Sequence, residues 1–206
     1  MADPGMNNLL KWGIENSEAT RSTNPNHPPT DRRLDAETLN TLLGGPSDAD
    51  LMKEAMQVVR SPSASLEDRI TAFDNFEQLV ENLDNANNME ALGLWTPLLE
   101  MLDSEDADMR RMAAWCVGTA VQNNVRSQER LLAMDGIPKL AKMAVNDEKQ
   151  AARRKAVYAL SSSIRNYQPA TDEAVKALPK DIVGVDRVEA DDMARIDSIM
   201  ENLRKQ

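Results

Sequence analysis

The sequence has a single cysteine and a single histidine in 206 residues, and aromatic side chains make up only 3% of it. Cys116 therefore has no partner for an intrachain disulfide and no second thiol for a CxxC site, and its apolar neighbours predict a core thiol. His27 lies between Pro25 and Pro28, where no regular structure is expected to hold it. These two scarcities argue against a nucleophilic or metal site built from cysteine and histidine.

Motifs that carry catalysis or cofactor binding are also missing. The sequence contains no phosphate-binding loop, dinucleotide fingerprint, zinc-protease motif or nucleophile elbow. A carboxylate-rich run at residues 103–108 lacks the central glycine and terminal glutamate of a calcium loop, and it suits the start of a helix instead. We expect a protein that is not an enzyme and that has neither a metal nor a cofactor.

Positive charge is in the minority, with 24 lysines and arginines against 34 acidic residues and a net charge of −10. This balance argues against nucleic acid or an anionic membrane as the main partner. No apolar run approaches the roughly 20 residues needed to cross a bilayer, and the first residues carry no basic-then-apolar leader. We expect a monomeric, cytoplasmic protein.

The sequence does contain a repeat. Asn82, Asn123 and Asn166 each follow an apolar helical block, and they recur after 41 and 43 residues. Pro97 and Pro138 each follow their asparagine by 15 residues. A helical period just above forty residues is typical of an α-solenoid of the armadillo or HEAT kind, in which each unit buries its apolar face against the next. The sequence therefore predicts an all-α stack of helices.

Composition divides the chain into two parts. Residues 1–46 predict a flexible N-terminal segment, in which a proline-rich tether at 24–29 separates an amphipathic piece from a short helix at 34–43. The amphipathic piece carries four apolar side chains: Leu9, Leu10, Trp12 and Ile14. It either folds back onto the repeats or is presented to a partner at high effective concentration. Residues 47–206 predict the repeat domain, with a C-terminal capping helix near 188–205.

Apolar spacing places the helices within the repeats. In the first long helix, residues at three- and four-residue steps predict a core stripe of Ala72, Phe73, Phe76, Leu79, Val80 and Leu83. The asparagine-rich residues 85–88 predict a turn, followed by a brief helix at 89–92. Equivalent long helices are expected at 109–124 and 151–166, and residues 179–185 are expected to be irregular.

The side of each long helix opposite its buried stripe forms a second predicted feature. It is acidic in the first repeat, aromatic in the middle and basic in the third, and its members are Asp74, Glu77, Glu81, Arg111, Trp115, Gly118, Gln122, Arg154, Tyr158, Ser161 and Arg165. In armadillo stacks this side is the inner, concave wall. Such a graded wall predicts a protein partner held in one orientation, although solvated helix faces without a partner are the other interpretation.

Several longer motifs resemble a known family. They are NLLKW at 8–12, AFDNFE at 72–77, ENLDNANN at 81–88, GTAVQNN at 118–124 and KAVYAL at 155–160. Residues 6–169 are thereby similar to the fungal Fes-type exchange factors, relatives of the animal protein that binds the 70-kDa heat-shock chaperone. The last forty residues depart from the longer members of that family.

The resemblance implies both a fold and a function. The fold is an armadillo-like, right-handed α-solenoid, and its concave face embraces lobe II of the chaperone's ATPase domain, so that ADP leaves, ATP enters and the client peptide is released. A link to translation is a weaker expectation. The N-terminal apolar side chains are implied to occupy the chaperone's client groove and so prevent released client from rebinding.

The resemblance also assigns residues to the interface. The positions implied to bind the chaperone are Glu81, Asn82, Asn85, Ala86, Asn87, Gln122, Asn123, Arg165 and Asn166. Asp74, Glu77, Trp115 and Tyr158 of the wall complete the predicted partner-binding set.

A different class of function stays open, namely an armadillo adaptor for an extended peptide or a scaffold without nucleotide dependence. Peptide-binding stacks resemble one another in having a Trp and an Asn one helical turn apart in successive repeats. The corresponding pairs in this sequence are Asp74 with Gln78, Trp115 with Thr119, and Tyr158 with Ser162. No repeat has the Trp and Asn pair, which favours the exchange factor.

Overall fold

The computed structural model of the chain describes residues 13–14, 17 and 45–206, and the chain divides into two compact units, Met1–Ser47 and Asp48–Gln206. In the first unit, the Ser17 hydroxyl donates a hydrogen bond to the Ile14 carbonyl at 3.0 Å, and the Ile14 side chain is exposed. The predictions for Leu9, Leu10 and Trp12, and for a helix at 34–43, lie outside the described residues.

Within the described range 48–206, the second unit is built from helices and their connections, without strands. The α-helices are α1 (Asp48–Arg60), α2 (Leu66–Val80), α3 (Leu83–Asn88), α4 (Trp95–Glu100), α5 (Ala107–Val121), α6 (Val125–Ala133), α7 (Gly136–Asn146), α8 (Gln150–Ile164), α9 (Gln168–Ala177), α10 (Lys180–Val183) and α11 (Met193–Arg204). A 3-10 turn, Met101–Asp103, follows α4. No helix in the described part of the chain is long and apolar enough to cross a membrane.

Helices α2, α5 and α8 are each 15 residues long and lie side by side, with α5 in the middle. The thiol of Cys116 on α5 contacts the Phe73 carbonyl of α2 at 3.7 Å, and one turn later Thr119 reaches Glu77 at 2.6 Å. Because both residue numbers rise together, α2 and α5 run parallel. The three helices therefore form a ladder with one rung from each repeat.

The other helices cover the back of this ladder. Helix α1 packs against α2, α7 packs against α8, and α9 packs against both α7 and α8. The buried layer between them contains large apolar side chains from every repeat, including Phe73, Phe76, Met112, Leu140 and Leu160. Cys116 is buried in this layer, and burial raises the pKa of its thiol well above the ordinary value, as predicted for a core thiol.

Side-chain caps fix where several helices begin. The Asp106 carboxylate accepts hydrogen bonds from the backbone amides of Asp108 and Met109 at 2.8 and 3.1 Å, so the acidic run at 103–108 includes the N-cap of α5. Asn82 caps α3 in the same way, accepting from Asp84 and Asn85. These local bonds satisfy amides that no helical carbonyl can reach.

Four expectations about local structure are wrong. Residues 85–88 belong to helix α3 and not to a turn, because Asn82 caps a helix whose Asn85 side chain also donates to the Leu79 carbonyl at 2.9 Å. Residues 89–92 form a turn and not a helix, and Lys180–Val183 is a short helix and not irregular. Leu83 is 56% exposed and not part of the core stripe, since it begins α3 after the chain has turned away from α2.

The end of the described domain is closed by α11. Arg165 at the end of α8 reaches Asp197 near the start of α11, whereas Arg153 near the start of α8 reaches the Gln206 carbonyl, so α11 runs antiparallel to α8. Its apolar side, which consists of Ile196, Ile199, Met200 and Leu203, is buried. Gln168 holds the preceding segment by donating to the Val188 carbonyl and accepting from the Ala190 amide, both at 2.8 Å.

Candidate partner-binding surface

The predicted partner-binding residues occupy two connected places on the repeat domain. Asp74, Glu77, Trp115 and Tyr158 lie along the ladder helices α2, α5 and α8, and we call this side the ladder face. Most of the remaining residues lie at the C-terminal ends of these helices. We call this edge the ridge, and it consists of residues 81–83, 122–125 and 165–168. The residues of the ridge are far apart in sequence, and the stacking of parallel helices of equal length brings them into one row.

The repeated asparagines of the ridge have a local structural basis. Glu81, Gln122 and Arg165 are the C-cap residues of α2, α5 and α8, and an asparagine follows each of them. Asn123 and Asn166 have φ angles of 53° and 59°, in the left-handed region that asparagine tolerates better than most residues. Both side chains remain exposed, so the turn that asparagine permits also places a polar amide on the surface.

Ala86 on helix α3 was predicted to contact the partner, and the structure does not place it on the surface. This side chain is buried against the core and cannot offer a surface to a partner. Asn85 is half-buried, and its amide donates to the Asp48 carboxylate at 2.7 Å as well as to Leu79. Asn87 is also half-buried. Only the exposed parts of α3 therefore remain for contact.

Glu77 is likewise not on a solvated wall. Glu77 is only 5% exposed, because α5 packs beside it. The Thr119 hydroxyl donates a hydrogen bond to the Glu77 carboxylate at 2.6 Å. Burial raises the pKa of Glu77, and the negative charge of Glu81 raises it further, while the bond from Thr119 lowers it. Gly118 and Ser161 of the predicted wall are buried as well.

The centre of the ladder face is an aromatic and cationic cluster. The ammonium group of Lys155 lies 3.3 Å from the ring centroid of Trp115 and 5.6 Å from that of Tyr158. The Tyr158 hydroxyl and the Gln122 side-chain carbonyl are 3.0 Å apart, with the hydroxyl donating. Burial lowers the pKa of Lys155, and the opposing charge of Glu77 partly offsets this. A cation this close to an indole face is attracted by the ring quadrupole.

Sequence reasoning missed Lys155 and Thr119 as members of the face. A usable signal existed for Lys155, because it precedes Tyr158 by three residues and so shares its side of α8. For Thr119 the signal is the repeat offset, since Glu77 and Thr119 are 42 residues apart. Both residues lie in motifs that carry the family resemblance, but the resemblance assigned neither of them to the interface.

Two exposed apolar side chains on the ridge were also missed. Leu83 is the first residue of α3 and Val125 the first residue of α6, 42 residues later, and they are 56% and 53% exposed. Single exposed leucines are common on protein surfaces, but exposure at equivalent positions of successive repeats is a pattern. Aligning the repeats on the N-cap residues Asn82 and Asn124 would have identified this pair.

Glu77→Gln tests the buried carboxylate. Because the pKa of Glu77 is raised from 4.5, the folded protein retains a proton there after the unfolded chain has lost it, so the free energy of unfolding falls as the pH rises through this window. Glutamine keeps an acceptor for Thr119 and does not titrate. We expect the melting temperature of Glu77→Gln relative to the wild type to rise between about pH 4 and about pH 7. A melting-temperature difference that stays constant between these pH values would contradict the assignment.

Comparison with known protein families covers most of the chain. Residues 6–89 match the family described as "Nucleotide exchange factor Fes1", and residues 85–178 match the "SIL1/FES1/HPBP1 C-terminal domain". The two matches meet at α3 and together include the ladder face and the ridge.

Individual relatives agree with these matches. The chain is 55% identical to the Hsp70 nucleotide exchange factor FES1 of Gibberella zeae, covering 100% of this chain and 98% of that protein. It is 54% identical to the protein of the same name from Coccidioides immitis, with 98% of each chain covered. The Saccharomyces cerevisiae protein of that name is 42% identical, and the match covers 83% of this chain and 59% of the yeast protein.

Among solved structures, the fold is similar to that of a designed armadillo repeat protein in complex with the peptide (KR)4. The TM-score is 0.59 at 16% identity, and the match covers 73% of this chain and 63% of the designed protein. This likeness concerns the fold alone, and it confirms the prediction of an all-α, armadillo-like solenoid.

Proposed function

This chain belongs to the Fes1 family of Hsp70 nucleotide exchange factors, and we propose that it grips the ATPase domain of a cytosolic 70-kDa heat-shock chaperone through the ladder face and the ridge. It acts as a nucleotide exchange factor, so that ADP release and then client release are accelerated. The observation that supports this most strongly is the 55% identity to an exchange factor over the whole chain.

Exchange of this kind requires no chemistry by the factor. The factor needs only to bind the chaperone state that holds ADP weakly more tightly than the state that holds it strongly. A coupling free energy of about 1–3 kcal/mol between the two binding events would weaken ADP roughly 5- to 150-fold. A non-enzymatic protein with a graded surface is sufficient for this task.

The charges of the ladder face support a single docking orientation. Asp74 and Glu81 make the α2 side acidic, whereas Arg154 and Lys155 make the α8 side basic. A partner bound in the reverse orientation would place like charges together, which disfavours that arrangement. We infer that the ATPase domain, at its lobe II, presents basic groups to α2 and acidic groups to α8.

The apolar pair on the ridge provides a test of where the chaperone binds. We expect the double variant Leu83→Asp with Val125→Asp to lose at least tenfold in affinity for the ATPase domain, because burying a charge in place of an apolar contact costs more than about 1.4 kcal/mol. Leu66→Asp is the matched control, since Leu66 is exposed but begins α2 at the opposite end from the ridge. Binding would be measured by fluorescence anisotropy, and equal affinities of the double variant and the control would exclude the ridge.

The adaptor alternative makes a different prediction. A pull-down with an isolated ATPase domain should show binding that is lost when ATP is added, and binding of basic peptides instead would favour an adaptor. In the structure, Thr119 is bonded to Glu77, and Gln78 donates to Asp74 at 2.9 Å. Polar groups at the adaptor-like positions are therefore engaged within the domain, which supports the exchange factor.

The N-terminal segment is proposed to act on the client side. If residues 1–46 occupy the client groove, a protein lacking residues 1–30 should release ADP normally and release a labelled client more slowly. The proposed cytoplasmic location follows from the cytosolic chaperone that the factor would serve.

A further inference from the structure

Three side-chain contacts cross the ladder face and link α2, α5 and α8. Thr119 donates to Glu77 at 2.6 Å between α2 and α5. Between α5 and α8, Lys155 lies 3.3 Å from the Trp115 centroid, and Tyr158 donates to Gln122 at 3.0 Å. We call these six residues the cross-helix strap. The polar groups of these residues contact one another, and each contact joins two different helices of the domain.

The helices linked by the strap approach each other closely at its centre. A Cβ atom placed on Gly118 would lie 2.5 Å from Cε1 of Tyr158 and 3.0 Å from the Ala159 Cα. Only glycine therefore allows the Tyr158 ring to lie against the backbone of α5. The Tyr158 ring occupies the space that a side chain at position 118 would fill. Sliding α8 along α5 would therefore bring the ring into steric conflict with α5.

Two of the three strap contacts are partly shielded from water, whereas the hydrogen bond between Tyr158 and Gln122 is exposed. Glu77 is buried, and Thr119, Trp115, Lys155 and Tyr158 are partly buried. Hydrogen bonds and ion–ring contacts are stronger where the local dielectric is low, and separating their partners there leaves them unsatisfied. Spreading the three helices would break all three contacts.

Stiffness across this face matters because of how solenoids deform. Each repeat contacts only its neighbours, so a small change in the angle between adjacent repeats changes the curvature of the whole binding surface. Contacts on one face that join successive repeats oppose that change. The core behind the ladder is mainly apolar, and apolar packing is less directional than these contacts.

We propose that the cross-helix strap sets the curvature of the ladder face, so that the factor fits the ADP-releasing form of the chaperone and cannot adapt to the ADP-holding form. This rests on the proposed function. A ligand shifts an equilibrium only by its difference in affinity for the two states. A compliant face would bind both forms and lose that difference, so the strap residues are positioning residues that convert binding into nucleotide release.

The test uses the full chain with the double variant Thr119→Val and Lys155→Met, which removes two strap contacts and retains side-chain volume. The dissociation constant for the ATPase domain is measured without nucleotide and with saturating ADP. For the wild type we expect the ratio of the two constants to be roughly 5 to 150. In the double variant the ratio should fall by at least about threefold, because a compliant face distinguishes less between the two forms of the chaperone.

Two further proteins serve as controls. Thr119→Ser with Lys155→Arg keeps the hydroxyl and the cation, and it should restore the wild-type ratio. Lys176→Met removes one positive charge from an exposed site on α9, where Lys176 pairs with Glu173 of the same helix, and it should leave the ratio unchanged. Circular dichroism tests whether each variant is folded. If the double variant is unfolded, the single variant Lys155→Met replaces it, and we expect the same fall in the ratio.

The outcomes separate the two proposals. A folded variant that keeps the wild-type ratio overturns the strap, as does an equal loss of affinity with and without ADP, since that would make these residues simple contacts. A wild-type ratio of one overturns the proposed function itself. A folded variant with a lowered ratio supports both.

Discussion

Deletion of helix α11 is expected to prevent the repeat domain from folding stably. Its four apolar side chains, Ile196, Ile199, Met200 and Leu203, are almost completely buried. Burying one such side chain contributes about 1.5–3 kcal/mol, so their combined loss approaches the total stability of a typical domain, about 5–15 kcal/mol. The deletion would also expose the apolar end of the third repeat.

Truncation after Asp192 removes α11, and truncation after Arg204 is its control because it removes only two exposed residues. Urea denaturation followed by circular dichroism measures both. The control should unfold cooperatively like the full chain, whereas the longer truncation should show no cooperative transition. A cooperative transition near the wild-type midpoint in the longer truncation would show that α11 is dispensable.

Asp147→Ala is expected to destabilise the repeat domain more than removal of a carboxylate from an exposed ion pair does. Arg110 forms a two-point contact with this carboxylate, at 2.6 and 3.0 Å, and also donates to the carbonyls of Ser104 and Glu105. The two side chains of the pair are only 14% and 4% exposed. Removing Asp147 leaves a largely buried guanidinium without its counter-charge, which costs about 3–5 kcal/mol.

The matched control is Asp103→Ala. Asp103 accepts from Lys139 at 2.6 Å, the same distance, but its side chain is 59% exposed, so the expected loss is only about 0–1 kcal/mol. Replacing both partners, with Arg110→Met and Asp147→Leu together, should recover much of the stability, because no unpaired charge remains. Equal losses for Asp147→Ala and Asp103→Ala would show that burial does not decide the strength of these pairs.

This pair also predicts a pH dependence. Burial alone would raise the pKa of Asp147, but the hydrogen bonds from Arg110 and the Lys149 amide outweigh burial and lower it from 3.8. A lowered folded-state pKa adds stability that is present above the unfolded value and is lost as the pH falls through the folded value. The stability difference between the wild type and Asp147→Ala should therefore shrink only at strongly acidic pH.

The features that the sequence predicted well are those set by local spacing. The 41- and 43-residue repeat identified the long helices, and expected ranges such as 109–124 lie within three residues of the observed Ala107–Val121. The buried stripe containing Phe73, Phe76 and Cys116 followed from three- and four-residue steps. Apolar periodicity is a property of one helix, so no neighbour had to be known.

The errors have a common origin in contacts between helices. Residues 85–88 have the composition of a turn, yet Asn82 and the carbonyl of Leu79 turn the same asparagines into part of a helix. Glu77 was expected on a solvated face because nothing in α2 shows that Thr119 will lie beside it. Leu83 fits the apolar spacing of α2 but belongs to the next helix. Each outcome depends on a partner 3–42 residues away, which composition alone does not specify.

The central claim is that this protein loosens ADP from the chaperone by binding its ATPase domain. The most direct measurement is stopped-flow release of fluorescent ADP from a cytosolic 70-kDa heat-shock chaperone, with increasing amounts of the full chain. We predict a release rate that rises with factor concentration, is half-maximal near the dissociation constant of the complex and reaches a plateau well above it. An unchanged release rate at concentrations where the two proteins are bound would contradict it.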